Sequence, residues 1–261
     1  MKRIILFLLF TILLPLSLFP QSAAAEKLTT HMITPPIPAS RYIMPYTPSP
    51  VGLEKYALGI AEKKRVFYLY VPRSLKPHAP AMILLHGAER DGISMADSWR
   101  KSAERHGMIL VAPDAVDHYW DFDADKAFIA ALLQFLQQDK RVDARRIYLF
   151  GHSNGAVVGL PLTALFSQNL AGAAIHAGMV TNKKFLPVIK TSKRKIPLCV
   201  INGSDDISMP AIRARYAAQL FADAGHPAAY IELTGHNHWY YTLSDWINEL
   251  AWQCMSDLAK K

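Results

Sequence analysis

Cysteine is scarce in this sequence, with only Cys199 and Cys254 in 261 residues. Two cysteines allow at most one bridge within the chain. Neither stands near the alanines at 23–25, which excludes a lipid-anchored cysteine at that point. Cys199 falls in an expected core strand and Cys254 in an expected terminal helix, so burial as two free thiols fits at least as well as pairing. Metal-ligand spacing is lacking too. His236-x-His238 can be combined with His118 and Asp114, but no third ligand follows at a diagnostic interval, so no metal is expected. No internal repeat is found, and beyond residue 19 no apolar run is long enough to span a bilayer. Acidic residues are outnumbered, 21 Asp and Glu against 29 Lys and Arg, for a formal charge of +8.

What is present begins with an export signature. Lys2 and Arg3 precede an apolar run from Ile4 to Phe19, and Ala23-Ala24-Ala25 offers a small-residue cleavage site. A charged start, an apolar stretch and such an exit read as a signal peptide over residues 1–25, and Pro15 and Pro20 argue against a retained anchor. Its removal leaves 236 residues, the size of one α/β domain, with a charge of +6. A secreted or periplasmic protein with no membrane span after cleavage is expected. Six basic residues between Lys183 and Lys195 raise the question of nucleic acid, which an exported protein rarely meets. A solvated loop is the simpler reading, and no nucleic-acid partner is expected.

Residues 26–52 are rich in proline, serine and threonine without apolar periodicity, as in an extended N-terminal arm. From there on the pattern is regular. "RVFYLYVP" alternates like a strand near a sheet edge, while "AMILLHG" (81–87) and "MILVAPD" (108–114) are continuous apolar runs of strands buried on both faces. Further strands are expected at 147–150, 171–178, 197–206 and 229–235. Helices are expected near 95–106, over 124–138, from 156, at 210–224 and at 243–259. Strands alternating with helices predict a mostly parallel sheet covered on both faces, in one domain over 53–261. Pro161 falls inside the helix from 156, which it should kink or interrupt.

Ligands of such sheets bind beyond the carboxyl ends of the strands. That rim carries His86-Gly87-Ala88, Asp114, Ser153, Gly178, Asp205-Asp206 and His236-Asn237-His238. In "RIYLFGHSNGAVVG" (146–159) a serine stands between two glycines where a buried strand becomes a helix. Gly-x-Ser-x-Gly at such a junction is a nucleophile elbow, a strained turn that lifts the hydroxyl above the sheet. A hydroxyl is a poor nucleophile at neutral pH and needs an imidazole to take its proton and a carboxylate to orient that imidazole. An aspartate pair and a histidine pair follow downstream in the order Ser, Asp, His.

With these residues in place the sequence resembles the α/β-hydrolases. "VDARRIYLFGHSNGA" (142–156), "FYLYVPRSLKP" with "AMILLHGAERD" (67–91), and "NGSDDISMP" (202–210) are similar to secreted esterases of the polyhydroxybutyrate-depolymerase and feruloyl-esterase group. The resemblance implies Ser153 as nucleophile, Asp206 as acid and His238 as base, with Asp205 and His236 as the competing neighbours. It implies an oxyanion hole from the backbone N–H groups of Asn154 and Ala88, with Glu89 as the alternative to Ala88. The loop "HGAERDG" lacks the family's glycine-rich continuation. His118, Tyr119, Trp120 and Trp239 stand just beyond strand ends and are candidate pocket walls, although ordinary packing suits each as well. His86, His152 and His176 read as packing and hydrogen-bonding residues. The expected function is hydrolysis of a carboxylic ester, whether of a polyester, of a feruloyl or acetyl group on a polymer or of a small molecule, through an acyl-serine and without a cofactor. A non-catalytic exported binding protein and a serine peptidase are the competing readings.

Overall fold

The computed structural model describes residues 27–37, 45–60 and 62–260, so the expected signal peptide lies outside the described residues. Nine strands form one sheet: β1 (Thr29–Ile33), β2 (Leu53–Ile60), β3 (Lys63–Tyr70), β4 (Ala79–Leu85), β5 (Ile109–Pro113), β6 (Val142–His152), β7 (Gly172–His176), β8 (Leu198–Gly203) and β9 (Ala228–Leu233). The spatial order is β1-β9-β8-β7-β6-β4-β5-β3-β2. From β1 to β5 every pairing is parallel, while β3 pairs antiparallel with both β5 and β2. This is the α/β arrangement that the sequence pattern predicts.

Among the described residues six α-helices cover the sheet: α1 (Gly92–His106), α2 (Phe122–Gln138), α3 (Asn154–Leu165), α4 (Leu186–Lys190), α5 (Ala211–Asp223) and α6 (Ser244–Leu258). Strand side chains alternate between two apolar layers, as the period of two requires. Ile83, Leu149 and Val200 pack with α2, α3, α4 and α5 on one face. Leu84, Phe150 and Ile201 pack with α1 and α6 on the other. Each fully buried Ile, Leu or Phe stabilises the fold by about 1.5–3 kcal/mol relative to exposure. No described helix is long and apolar enough to cross a membrane.

A buried ion pair ties the antiparallel end of the sheet to α2. Arg65 donates to Asp125 at 2.6 Å, and its guanidinium lies 4.3 Å from the centre of the Phe128 ring. The second oxygen of Asp125 accepts from the Asp121 N–H at 2.8 Å.

The structure departs from the sequence reading in four places. Thr29–Ile33, inside the proline-rich arm, forms an edge strand parallel to β9, with Thr29 opposite Ala229. Its middle residues are exposed, so no apolar period marks it. The hairpin strand β2 went unread for the same reason: its charged side chains face solvent, as suits a protected sheet edge. Pro161 does not interrupt α3, which runs through it. Nearly every residue of α3 from Gly155 to Ala164 is buried, and this packing offsets a proline penalty of about 3 kcal/mol.

The fourth departure corrects the free-thiol reading. Cys199 and Cys254 form a disulfide with a Cα–Cα separation of 6.2 Å. Alternation along β8 turns Cys199 toward the α6 face, where Cys254 stands.

Candidate active site

Strand β6 ends at His152, and α3 starts at Asn154, so the whole turn falls on Ser153. Its backbone has φ 54° and ψ −118°, a left-handed φ that few non-glycine residues adopt. Both flanking glycines are required by close approach. A Cβ on Gly151 would stand 2.6 Å from the Gly155 carbonyl oxygen, and one on Gly155 would stand 2.4 Å from that of Leu85. The turn is held from both sides: Ser153 N–H donates to the His176 carbonyl at 3.1 Å and Gly155 N–H to that of His86 at 3.0 Å.

The downstream loops deliver the partners. Gly203 at the end of β8 lies so close to the next loop that a Cβ there would overlap the His236 carbonyl. Asp205 N–H donates to that same carbonyl at 2.9 Å. Thus the loop after β8 and the loop after β9 are laced together, and side chains at 206 and 238 meet. His238 stands between the other two residues, with Nε2 2.8 Å from Ser153 Oγ and Nδ1 2.7 Å from Asp206 Oδ2. The other oxygen of Asp206 accepts the N–H groups of Ser208 at 2.9 Å and Met209 at 2.8 Å, which fixes the carboxylate. Asp206 is buried, so the charge facing His238 is weakly screened.

The competing neighbours are placed elsewhere. Asp205 is exposed and accepts a hydrogen bond from Ser204 Oγ at 2.7 Å. His236 is buried, with neither ring nitrogen hydrogen-bonded among the described residues. Burial lowers its pKa to about 4, so it stays neutral at pH 7. His152 and His176 are also kept neutral, because desolvation pushes both well below the ordinary histidine range.

Two backbone N–H groups in the segments around the nucleophile are left uncommitted among the described residues. Asn154 is the first residue of α3, and the first N–H groups of a helix have no partner within it. The second comes from the loop after β4. A Cβ on Gly87 would stand 3.4 Å from the Ser153 Cβ, so this loop passes directly beside the serine. Among the described residues neither Ala88 N–H nor Asn154 N–H has an acceptor, whereas Glu89 N–H is committed to the His118 carbonyl at 3.1 Å. Of the two residues considered for the second donor, Ala88 is therefore the one left open.

The segment 118–120 supports this loop. His118 Nδ1 lies 3.1 Å from the Arg90 carbonyl, and Tyr119 donates to Glu89 Oε1 at 2.8 Å. Trp120 is buried, packs on the His86 ring and donates through Nε1 to the His86 carbonyl at 2.9 Å. Its own N–H donates to Asn154 Oδ1 at 2.6 Å. The structure therefore places Trp120 in the packing behind the loop and not on an open pocket wall. His86 completes the brace, with Nδ1 2.7 Å from the Gly87 carbonyl and Nε2 accepting from Ala115 N–H at 3.0 Å.

Trp239 does stand at the rim, beside Tyr241, in a group to which Arg90 and Tyr46 add contacts that the sequence did not show. The Arg90 guanidinium lies 5.4 Å from the Trp239 ring centre and 4.9 Å from that of Tyr241. Tyr46, from the N-terminal arm, stacks on Tyr241 at 4.2 Å and donates to Asp97 at 2.7 Å. The arm is thus packed onto Tyr241, three residues beyond His238. Its only sequence signal was tyrosine recurring in a proline-rich stretch.

Comparison with known proteins agrees with this fold. The fold is that of the α/β-hydrolases. The structure superposes on Est1E from Butyrivibrio proteoclasticus with a TM-score of 0.65 at 13% identity, covering 79% of this chain and 99% of the other. Esterase 2 of Thermogutta terrifontis gives 0.62 at 16% identity, covering 79% and 95%. The family model described as Phospholipase/Carboxylesterase matches residues 126–252. In sequence the chain is similar to a bifunctional acetylxylan esterase/xylanase of Neocallimastix patriciarum, 23% identical over 54% of this chain and 21% of the relative. It is also similar to feruloyl esterase B of Talaromyces funiculosus, 24% identical over 43% and 36%. The chain therefore spans about a fifth to a third of the length of these curated relatives.

Proposed function

We propose that this protein is a serine hydrolase of carboxylic esters, working through an acyl-serine on Ser153. The observation that carries this reading is the continuous relay from Ser153 Oγ through His238 to Asp206, at 2.8 and 2.7 Å. Its matches to esterases in sequence support the choice of ester over other acyl bonds.

In the first half-reaction Ser153 Oγ attacks the ester carbonyl while its proton passes to His238 Nε2. Asp206 holds the ring by Nδ1 and stabilises the imidazolium. The oxyanion is received by the N–H groups of Asn154 and Ala88, each such donor being worth about 3 kcal/mol of barrier. The intermediate then collapses, the C–O bond to the alcohol breaks, and His238 returns its proton to the departing oxygen. In the second half water attacks the acyl-serine with His238 as base, releasing the acid and restoring the hydroxyl.

Export belongs to the same proposal. The charged start and apolar run of residues 1–25 support it, and so does the Cys199–Cys254 disulfide, which persists in oxidising compartments. The acetylxylan and feruloyl relatives favour an ester on a carbohydrate or phenolic acid over a polyester.

The test uses 4-nitrophenyl acetate. The expected result is a nitrophenol burst of one equivalent per enzyme, an acetyl mass increment on the Ser153 peptide, and loss of both in folded Ser153→Ala. Retained turnover in that variant overturns the mechanism.

A further inference from the structure

Of the six basic residues between Lys183 and Lys195, the structure accounts for some and leaves others. Lys184 pairs with Asp123 at 3.0 Å. Arg194 donates to the Leu170 carbonyl, and Lys195 donates to the Ser192 carbonyl at 3.0 Å. Lys183 is exposed and has no acidic partner among the described residues. Arg213, on the first turn of α5, is in the same condition.

These two cations flank one cleft of about 450 Å³. Its apolar lining is Val180, Leu186, Ile212 and Tyr216. It opens between the chain leaving β7 and the chain leaving β8, so it lies on the rim that carries Ser153. β7 adjoins β6 and β8 is one strand further, which puts the cleft about 10 Å along the rim at a strand spacing of about 4.8 Å. The path to the relay is short in sequence as well. Ile207, which is 93% exposed, directly follows Asp206, and α5 starts four residues later.

The lining selects among ligands. A plain acyl chain would cover Ile212 and Tyr216 but would strip water from two cations without replacing it. A neutral sugar would leave both cations unpaired. A ring bearing a carboxylate satisfies both features: its flat C–H face lies on the Tyr216 ring, which is 56% exposed, and its charge lies between Lys183 and Arg213.

We propose that this cleft is a subsite for an acidic sugar residue in a glycan whose ester is presented to Ser153. The inference rests on the ester-hydrolase reading above and specifies its substrate. Lys183 and Arg213 hold the uronate carboxylate, and Tyr216 carries the ring.

The experiment compares acetylated xylo-oligosaccharides with and without a glucuronic acid branch. The readout is the ratio of kcat/KM, acidic over neutral, measured at low and high salt. Two exposed charge contacts are worth about tenfold together, so Lys183→Gln/Arg213→Gln should lower the ratio about tenfold at low salt. The difference should shrink at high salt, where screening acts within about 3 Å. Lys190→Gln/Lys193→Gln, from the same basic stretch, should keep the parent ratio. Calorimetry with Ser153→Ala should show the glucuronic acid oligosaccharide binding more tightly than the neutral one. An unchanged ratio in the cleft double variant overturns the subsite and leaves the ester hydrolase standing. Binding of Ser153→Ala to anionic lipid vesicles, with no preference between the oligosaccharides, overturns it also. If the parent enzyme cleaves none of these esters or 4-nitrophenyl acetate, the proposed function itself fails.

Discussion

The Nδ1 atoms of His152 and His176 face each other at 3.0 Å directly behind the nucleophile. Two facing imidazole nitrogens can share one proton, so one ring donates from Nδ1 and the other accepts. His176 Nε2 is buried without a partner among the described residues. An orphaned donor is less tolerable than an orphaned acceptor, which assigns the shared proton to His176 and leaves His152 carrying its own on Nε2. A second proton on His152 would enter at Nδ1 and place two hydrogens between the facing nitrogens, and one on His176 would enter at Nε2 and leave a buried N–H without an acceptor. The pair is therefore a neutral support for the elbow, and acid should undo it.

That consequence is measurable as stability. His86, His226 and His236 have pKa values lowered to about 4, chiefly by burial, and burial also holds His152 and His176 well below the ordinary histidine value. Below the unfolded value near 6.5 the unfolded chain binds protons that the folded chain refuses, so stability falls as pH falls. Each such histidine contributes a slope of about 1.4 kcal/mol per pH unit once its unfolded form is charged. Urea midpoints should therefore drop steeply between pH 6.5 and 4.5. His236→Phe, which removes a ring with no hydrogen bond, should flatten that slope by one proton. An unaltered slope in the variant would mean that His236 titrates normally in the folded state.

The adjacent aspartates give a sharper contrast. Asp206 supplies one oxygen to His238 and the other to two backbone N–H groups. Asp206→Asn should lower kcat on 4-nitrophenyl acetate by a factor on the order of 10³–10⁴. Asp205→Asn, which alters only an exposed contact with Ser204, should stay within about threefold, since exposed contacts of this kind are worth at most about 1 kcal/mol. The reverse ranking would assign the acid to Asp205.

Sequence legibility followed the strength of each local constraint. The elbow could be read because Gly151 and Gly155 leave no room for a Cβ, a demand that residue identity shows directly. Asp206 and His238 were implied only by the family resemblance, because chain position alone leaves Asp205 and His236 equally placed on the loops after β8 and β9. The supporting role of 118–120 could not be read, because Trp120 reaches His86 across 34 positions and no local pattern encodes that bond. The same holds for Tyr46 on Tyr241, where a proline-rich arm gives no period from which to infer a partner. Strand β1 is quiet because an edge strand buries too little to alternate clearly.

The disulfide, by contrast, was within reach. In "PLCVI" Cys199 lies between Leu198 and Val200, which face the α2–α5 layer, so alternation alone turns it toward the opposite face. The terminal helix α6 carries Cys254 on that face. The bond closes a sequence separation of 55 residues and joins α6 to a central strand. Constraint of the unfolded chain by a loop of that length corresponds to about 4 kcal/mol in the chain-entropy model, with about 2–4 kcal/mol typical of measured bonds. Cys254→Ser should therefore lower the unfolding free energy by about 2–4 kcal/mol in urea. Cys199 would remain as a buried thiol, which packs as a small apolar group. Neither cysteine touches the relay, so kcat on 4-nitrophenyl acetate should be retained below the unfolding transition. Dithiothreitol should lower the midpoint of the parent to that of the variant and leave the variant unmoved. A parent indifferent to reductant, with the bond shown to be reduced by thiol titration, would mean that apolar packing between α6 and the sheet, and not the covalent tie, holds the terminal helix.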